Sequence, residues 1–532
     1  MSVNVRRESS LEAYDVIVIG SGIGGLSSAS LLARAGRKVL VLERHDRPGG
    51  YAHSFRRGYS NFDAAVHLVG GCSEGGLIDS LLRVLSVREK CEFIRTNPFY
   101  KTVFANFSLE APLGRDEFIE AHYIQFPGEK RNLEKLIEVI EKMNSEIGEF
   151  PAQPNLFDIA RAIRKSPTLV RYSGATLEDV MEKWIDDPKL KSVFSSLWPY
   201  LGLPPSRLSF LYWSAMLSSY LDEGAFYCKG TFQNFANAMV SSLQKSGGEL
   251  MLHTRVERII VRNGAVTGVK LENGEKITAP TVISNVDATQ TFDEMIGKDK
   301  LPGSYVGKLH KMKPSLSAFV VFLSTDLDLT RFGAAHEMFF FDSWNHDESY
   351  QSLLRGDVLS SSSSYIVNVP TMTDPTLAPK GQHLVNATTL VPYDLGSSWR
   401  EEKVRYGNKL MQQIESKFPG LKSHTLMMEG ATPRTMERYT LNLTGSIYGW
   451  EVTPSQVGRG RLPHKTPIKG LYLSGHWTQP GGGIYGVVVS GIQTAQMILG
   501  FTDFQSMFED LAGKTKHSIS PIEAVEVEAP RV

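Results

Sequence analysis

A glycine-rich turn between two short apolar segments constrains the fold of this chain more than any other feature. Asp15-Val-Ile-Val-Ile19 is typical of a buried strand and runs directly into Gly20-Ser-Gly22-Ile-Gly24-Gly25. A helix-forming stretch ends at Gly36 and leads to a second apolar strand, Lys38-Val-Leu-Val-Leu42. A strand, turn, helix and strand in this order predict a βαβ unit with a right-handed crossover.

The spacing within this turn is typical of a dinucleotide-binding site. Gly20 allows a tight turn, Gly22 allows the backbone to approach a pyrophosphate, and Gly25 allows the helix to lie close to the strand. The helix N-terminus offers free N–H groups and a partial positive charge to the phosphates. Glu43 ends the second strand, where its carboxylate can accept hydrogen bonds from both ribose hydroxyls. We therefore predict that these four residues bind a dinucleotide.

A second pair of glycines, Gly49-Gly50, follows shortly after Glu43. The pair predicts another close approach of the backbone to the same dinucleotide. A domain that binds only a nicotinamide cofactor does not need this approach, so the pair favours FAD. The alternative is an ordinary Pro-Gly turn at Pro48-Gly49.

A second glycine-rich region lies at the other end of the chain. Gly470-Leu-Tyr-Leu-Ser-Gly475 predicts a buried strand, and Pro480-Gly481-Gly482-Gly483-Ile484 leads into a helix predicted over 486–499. The positive end of this helix would stabilise negative charge at the pyrimidine edge of a flavin. The alternative is a close helix–strand packing corner. One cofactor shared by both regions requires a domain that is discontinuous in sequence.

Composition and charge exclude several other classes of protein. The chain has 57 Lys+Arg and 57 Asp+Glu, so it has no basic field for nucleic acid. Its three cysteines are isolated and form neither a disulfide framework nor a zinc site, and no other metal-ligand spacing occurs. No apolar run reaches the roughly 18 residues of a membrane-spanning helix, and no signal peptide precedes the first strand. We therefore expect a cytoplasmic protein at a membrane periphery, with a flexible tail over 513–532.

The middle of the chain predicts helices and further strands. Residues 113–192 have helical periodicity, and nine aromatic residues follow within 194–227. These aromatics predict either a well-packed helical core or the lining of an apolar tunnel or membrane-dipping face. Residues 247–285 predict short strands with hairpins at Asn263-Gly264 and Asn273-Gly274. Strands are also predicted over 315–323 and 382–391, and a helix over 401–418.

Together these patterns predict an α/β protein with two domains. One is a discontinuous, Rossmann-like FAD-binding domain, and the other is an inserted substrate domain with a mixed β-sheet and helices. The FAD-binding domain is assigned to 12–100, 225–300 and 430–505, and the substrate or membrane-facing domain to 101–224 and 301–429.

Several motifs resemble the FAD-dependent desaturases, isomerases and saturases of carotenoids and retinoids, over about residues 14–500. The stretches 470–487, Gly445-Ser-Ile-Tyr448-Gly449 and Pro463-His464 are similar to those of bacterial phytoene desaturases. The stretches 49–55, 62–70 and 224–230 are more similar to retinol saturase and carotenoid cis–trans isomerase.

The resemblance implies a set of cofactor contacts. Many flavoproteins of this fold have an aspartate that holds the ribityl chain where this chain has His476, and bacterial phytoene desaturases also lack that acid. The implied contacts are the pyrophosphate at Gly20, Gly22 and Gly25, the ribose at Glu43, further cofactor contacts at Arg44, Gly49 and Gly50, adenine at the Val256 backbone, and the flavin around Gly475, His476, Gly481, Gly482, Gly483 and Ile484.

The resemblance also implies a reaction at C–C bonds of a hydrophobic, carotenoid-like polyene, by desaturation or cis–trans isomerisation. The open alternatives are a saturase, a flavin oxidase of another lipophilic molecule such as an amine or porphyrinogen, and a non-catalytic polyene carrier. Intact glycines and Glu43 argue against the carrier. Contact with a membrane surface is expected because polyenes dissolve in bilayers. His67 is the candidate proton donor or relay, His53 shares its position beyond the glycine pair, and Tyr448 is a weaker candidate.

Overall fold

The structure is a computed structural model that describes residues 13–148, 164–357 and 364–513. The predicted tail, 513–532, lies outside the described residues except for Gly513, which ends a helix. Strands within the described residues, numbered in chain order, are β1 Val16–Ile19, β2 Val39–Leu42, β3 Ser54–Arg57, β4 Ser60–Asp63, β5 Phe93–Arg95, β6 Tyr100–Phe104, β7 Phe107–Ala111, β8 Phe226–Cys228, β9 Glu249–Met251, β10 Val256–Arg262, β11 Ala265–Leu271, β12 Lys276–Thr278, β13 Thr281–Ser284, β14 Ser317–Thr325, β15 Glu337–Phe341, β16 Ser364–Asn368, β17 His383–Val391, β18 Thr425–Ala431 and β19 Leu471–Leu473.

The α-helices surround two large sheets. Within the same residues they are α1 Ile23–Arg34, α2 Leu77–Val84, α3 Arg115–Gln125, α4 Lys130–Gly148, α5 Pro167–Tyr172, α6 Leu177–Trp184, α7 Pro188–Phe194, α8 Phe210–Glu223, α9 Gln233–Lys245, α10 Gly303–Lys311, α11 His346–Leu354, α12 Trp399–Lys417, α13 Pro433–Thr440, α14 Ile484–Leu499 and α15 Phe504–Gly513.

The first sheet is parallel and collects its strands from distant parts of the chain. Its order is β19-β13-β1-β2-β9, and every neighbouring pair is parallel. All four residues of β1 and of β2 are buried, as expected for strands covered on both faces. Helix α1 packs against both α9 and α14, so the two glycine-rich regions share one layer of the fold.

The second sheet has the order β18-β14-β17-β16-β15-β6-β7. Its pairs are antiparallel except β15 with β6, which is parallel, so the sheet is mixed as predicted. All nine residues of β14 are buried, which explains the continuous apolar run in its sequence. This sheet and the helices α3 to α8 form a second body of the molecule beside the parallel sheet.

Smaller elements follow the sequence patterns closely. Strands β10, β11 and β12 form an antiparallel meander, with positive φ at Asn263 and Gly264 in the first hairpin and at Gly274 in the second. The helix predicted over 401–418 spans Trp399–Lys417, and the strand predicted over 382–391 begins at His383. The helix predicted over 486–499 begins earlier, at Ile484, because Gly483 takes the cap position with φ of 76°. The residue limits of the two predicted domains stay a prediction.

The aromatic segment 194–227 divides between two environments. Trp198, Phe210 and Trp213 are fully buried in the core beside the mixed sheet. Tyr200 and Tyr212 are partly exposed and line a cavity between the two sheets. Both predictions for this segment, a packed core and a cavity lining, therefore hold for different residues.

Candidate active site

A cavity of about 2120 Å³ connects the two glycine-rich regions with the mixed sheet. Ligand pockets usually hold about 300 to 1,000 Å³, so this cavity has room for a dinucleotide and a second long molecule. Sequence-predicted site residues in its wall are Gly20, Gly22, Glu43, Arg44, Gly49, Gly50, His53, His67, Val256, Tyr448, Gly475, His476, Gly482, Gly483 and Ile484. Gly25 and Gly481 do not line it.

The first glycine turn leads into the open N-terminus of α1. Gly22 is the N-cap, no side chain caps the helix, and its first turn carries no acid. The second glycine pair folds back onto this turn, since the Gly49 N–H donates to the Ser21 carbonyl at 2.9 Å. A Cβ atom on Gly50 would lie 3.1 Å from the Cα of Gly22. The Gly49-Gly50 pair is thus part of the cradle rather than an ordinary surface turn.

Asn285, directly after β13, lies at the centre of these glycines and was missed in the sequence. A Cβ on Gly22 would lie 2.7 Å from its Nδ2 atom, and a Cβ on Gly475 would lie 2.6 Å from its Oδ1 atom. That Oδ1 atom is buried and has no hydrogen-bond partner among the described residues. Gly25 acts through packing, because its Cβ would lie 2.4 Å from the Gly20 carbonyl oxygen. The available signal was the polar residue at the carboxyl end of a buried parallel strand.

The ribose and adenine end lies at the carboxyl end of β2. The Glu43 carboxylate accepts hydrogen bonds from the Ser21 N–H at 2.8 Å and hydroxyl at 2.7 Å. It also accepts from the His45 N–H at 2.8 Å. The Arg44 guanidinium donates to the Arg438 carbonyl, and burial lowers its pKa while Glu43 raises it. Glu43 therefore lies beside the glycine turn, as the prediction of a ribose contact requires.

The second glycine region forms the open N-terminus of α14. Gly483 is the N-cap, and neither a side-chain cap nor an acid occupies the first turn. The Tyr212 hydroxyl donates to the Gly482 carbonyl at 2.7 Å and so fixes the loop. A Cβ on Gly481 would lie 2.7 Å from the same hydroxyl, which explains why this glycine supports the loop without lining the cavity.

Arg461 holds this loop from behind, and no sequence motif indicated it. Its guanidinium is 0% exposed and donates to the carbonyls of His476 at 2.7 Å and Thr478 at 2.8 Å. Burial lowers the pKa of Arg461 to about 10, so it stays charged at neutral pH. Burial, followed by the charge of Arg461, lowers the pKa of His476 to about 3. The side chain of His476 in the cavity wall is therefore a neutral imidazole.

The candidate proton-transfer residues differ in state. Burial, followed by the charge of His336, lowers the pKa of His67 to about 3, so His67 is neutral at pH 7. Burial also lowers the pKa of His53, whose Nδ1 atom lies 2.7 Å from the Gly50 carbonyl. The Tyr448 hydroxyl donates to the Pro199 carbonyl at 2.9 Å, and burial raises its pKa. A neutral His67 can relay a proton but is not an imidazolium donor.

The far part of the cavity is lined mainly by apolar and aromatic side chains. They come from the segment before α8, from α8 itself, from the mixed sheet and from the loop after α13. The principal ones are Tyr200, Leu201, Leu211, Tyr212, Ala215, Met216, Tyr220, Ala318, Val320, Ile366, Ile447 and Tyr448. Such a wall suits an elongated, hydrophobic ligand.

These observations fit a flavin dinucleotide. Two uncapped helix N-termini face one cavity, where they can stabilise the pyrophosphate and the pyrimidine edge of the ring system. The glycines leave space that Cβ atoms would fill, and the unpaired Oδ1 of Asn285 lies beside that space. Within residues 13–148, 164–357 and 364–513, no group of three or more His, Cys, Asp or Glu side chains is placed to hold a metal ion.

None of the described helices alone is both long and apolar enough to span a bilayer. The pair α14 and α15, bent by 74° at their junction, meets the criteria of length and composition only when the two are taken together.

Comparison with known families decides the class of the protein. The family described as flavin containing amine oxidoreductase matches residues 23–499. The chain belongs to this family. It is therefore a flavin-dependent oxidoreductase, and with the dinucleotide cradle described above its cofactor is FAD, as predicted.

Three curated relatives cover most of the chain. Prolycopene isomerase 2 of an Oncidium hybrid cultivar is 29% identical and covers 92% of this chain and 85% of its own. A neurosporene-forming phytoene desaturase of Rhodobacter capsulatus is 28% identical, with 91% and 93% covered. An all-trans-retinol 13,14-reductase of Danio rerio is 25% identical, with 87% and 82% covered. The resemblance to carotenoid and retinoid enzymes is thus confirmed.

Solved structures support the fold. An oxidoreductase from Methanosarcina mazei superposes with a TM-score of 0.62 at 18% identity, covering 90% of this chain and 99% of its own. Wild-type putrescine oxidase bound to putrescine superposes with a TM-score of 0.60 at 15% identity, covering 92% and 99%. The predicted α/β fold, with a discontinuous Rossmann-like domain and an inserted mixed-sheet domain, is confirmed.

Proposed function

We propose that this protein desaturates or isomerises C–C bonds of a hydrophobic polyene at an FAD held between its two glycine-rich regions. The observation that carries the proposal is the continuity of the cavity. One cavity is lined both by the glycine-rich regions, at Gly22 and Gly483, and by a wall of aromatic and aliphatic side chains. The relatives named for polyene chemistry support the same substrate class.

The residues of the chain supply binding, orientation and exclusion of water. When bound, FAD supplies redox chemistry at C–C and C=C bonds. Tyr200, Tyr220 and Tyr448 line the apolar part of the cavity, where aromatic rings can ease positive charge that develops on an allylic system. The open N-terminus of α14 stabilises negative charge, and Tyr212 holds the preceding loop in place. We assign His67 as a neutral proton relay at the cavity wall.

Reduction of a polyene double bond is the second candidate function. It is favoured by the similarity to the all-trans-retinol 13,14-reductases, which covers 87% of this chain. The same cavity serves either direction, because binding and orientation of a conjugated chain are common to both. The direction is set by the redox partner that reacts with the flavin.

Product mass separates the candidates. Flavin-loaded protein is incubated with a panel of polyenes, under air and with a chemical reductant, and products are resolved by chromatography and mass spectrometry. Loss of two hydrogens indicates desaturation, gain of two indicates saturation, and an unchanged mass with a new retention time indicates isomerisation. If no polyene gives a product while an amine or a porphyrinogen does, the protein is an oxidase of another class. Protein without flavin that cannot be reconstituted would favour a carrier.

We also propose that the protein takes its substrate from a membrane surface. Val170, in α5, lines the cavity and is 48% exposed, so an apolar side chain marks the boundary between cavity and solvent. Flotation with phosphatidylcholine liposomes tests this. Val170→Asp should reduce the floated fraction several-fold, whereas Val404→Asp, at a 67% exposed site on α12, should not. Wild-type protein that stays entirely in the soluble fraction at low salt would contradict membrane contact.

A further inference from the structure

A row of polar residues crosses the mixed sheet. Asn386 on β17 is paired with Asn368 on β16, and Asn368 is paired with Glu337 on β15. Ile366 and Thr388 lie two residues away on β16 and β17, and both line the cavity. Because alternate residues of a strand share a face, the polar row lies on the cavity face of the sheet. Asn368 itself lines the cavity.

These side chains are buried but incompletely satisfied. Asn368 and Glu337 are each 0% exposed, and the Asn368 Nδ2 atom donates to the Glu337 Oε2 atom. Among the described residues, Oδ1 of Asn368 has no hydrogen-bond partner. The Tyr200 hydroxyl and Oε1 of Glu337 interact with each other, but not in the geometry of a full hydrogen bond, and have no other hydrogen-bond partner there. Tyr200 is in the cavity wall, close enough to Glu337 for each to influence the other's pKa. An unpaired buried polar atom destabilises the protein, so the Asn368 oxygen needs a ligand or water to satisfy it.

Glu337 is predominantly a neutral acid at pH 7. Burial raises its pKa to about 8, and interactions with Tyr200 and Asn368 lower it only in part. The cavity wall therefore contains the amide of Asn368 and the phenol of Tyr200, and the neutral acid of Glu337 holds the Asn368 amide from behind the wall. This set contains both donors and acceptors but no full negative charge, so it matches a neutral oxygen function rather than an ammonium group.

We propose that Asn368, Glu337 and Tyr200 form a subsite for a hydroxyl or carbonyl oxygen of the substrate, which is then an oxygenated polyene rather than a pure hydrocarbon. This inference rests on the proposed polyene function. A hydroxyl donates to Oδ1 of Asn368 and accepts from the Tyr200 phenol, whereas a carbonyl accepts from the phenol; Glu337 positions Asn368 by accepting from its Nδ2 atom. A hydrocarbon end leaves these atoms unpaired, and sites built for an oxygen reject the analogue that lacks it.

The test compares ligands that differ only in the oxygen. Oxidised, flavin-loaded full-length protein is titrated anaerobically with retinol and with the hydrocarbon in which a methyl group replaces CH₂OH. A monohydroxylated carotene and β-carotene form the second pair, and quenching of tryptophan fluorescence gives each affinity. We expect the oxygenated member of at least one pair to bind about tenfold more tightly. Equal affinities within both pairs overturn the subsite and leave the polyene function standing. Failure of all four to bind overturns the proposed function and the subsite with it.

Matched variants locate the preference. Tyr200→Phe should reduce it to about twofold or less, since it removes one hydrogen bond to the oxygen. Tyr100→Phe, at a fully buried tyrosine on β6 that does not line the cavity, should leave the preference unchanged. Asn368→Leu and Asn386→Leu form a second matched pair. Only Asn368→Leu should reduce the preference for the oxygenated ligand, because Asn386 is in the same row but outside the cavity wall. If Asn368→Leu does not fold, Tyr200→Phe decides alone; a preference that survives Tyr200→Phe overturns the assignment.

Discussion

The two ends of the cavity are lined by different kinds of atoms. At the proposed flavin end, the backbone of several glycines forms part of the wall, and Cβ atoms added at Gly22 or Gly475 would collide with Asn285. At the substrate end the wall is made of side chains projecting from the mixed sheet and α8. Changes at the first end should therefore alter cofactor retention, whereas changes at the second should alter selectivity and leave FAD bound.

The largest effect is expected for Gly25→Ala at the flavin end. The new methyl group would lie 2.4 Å from the Gly20 carbonyl oxygen, so α1 must move away from β1. We expect a loss of about 3 kcal/mol of stability and a large fall in the flavin-to-protein absorbance ratio. Gly307→Ala is the control, because that glycine in α10 has open space and should gain about 0.5 to 1 kcal/mol. A Gly25→Ala protein with full flavin content would break the distinction between the two ends.

Arg461→Met should have the next largest effect. It removes a buried cation and leaves the carbonyls of His476 and Thr478 without their donor, at a cost of about 2 kcal/mol. FAD dissociation should accelerate, which is measured by flavin fluorescence after dilution. Arg262→Met, at an exposed site at the end of β10, should leave the rate unchanged. An unchanged dissociation rate in Arg461→Met would show that the loop does not depend on this side chain.

At the substrate end, Glu337 predicts a pH dependence of stability. Its pKa rises from 4.5 to about 8 on folding, so the native state holds a proton that the unfolded state releases between these values. The contribution of this group is therefore fully present below about pH 4.5 and falls by about 1.4 kcal/mol per pH unit up to about pH 8. Urea unfolding across this range should show that Glu337→Gln lacks this component.

The control for that series is Glu429→Gln. Arg57 lowers the pKa of Glu429, so removing this carboxylate should not change the slope between pH 5 and 8. A parallel slope for wild type and Glu337→Gln would mean that Glu337 is ionised in the folded protein.

The smallest effect concerns His67. Because its pKa is about 3, the pH profile of kcat should show no inflection between pH 6 and 8 that belongs to this residue. His67→Gln should lower kcat without changing the shape of the profile, measured on whichever polyene gives a product. An inflection near pH 6.5 that disappears in His67→Gln would instead identify an imidazolium donor.

The contrast between the two ends also explains what could be predicted from the sequence. Glycines report backbone conformation directly, so Gly20, Gly22 and Gly483 pointed to the fold class and to FAD, while their contacts with the cofactor stay a prediction. Asn368 and Glu337 lie in strands with ordinary patterns, and only the pairing of β15 with β16 brings them together. That pairing is decided by tertiary packing between segments distant in sequence, so no local pattern indicated the polar row.

Arg461 was missed for a related reason. A single arginine in a loop is usually exposed, and its burial depends on carbonyls that face it from two other segments. The start of α14 at Ile484 instead of 486 has a simpler cause, because Gly483 takes the cap position and Ile484 and Tyr485 are already helical.

The strand order of the parallel sheet has a consequence for how the protein is made. Strand β13 lies between β1 and β19, so one edge of its ladder remains open until Leu471–Leu473 has left the ribosome. Until then the first βαβ unit is exposed without the helix α14 that covers α1. Chains with such late, long-range pairings fold slowly and are prone to aggregate. Free FAD, by binding only the completed cradle, should raise the yield of soluble protein when it is supplied during synthesis.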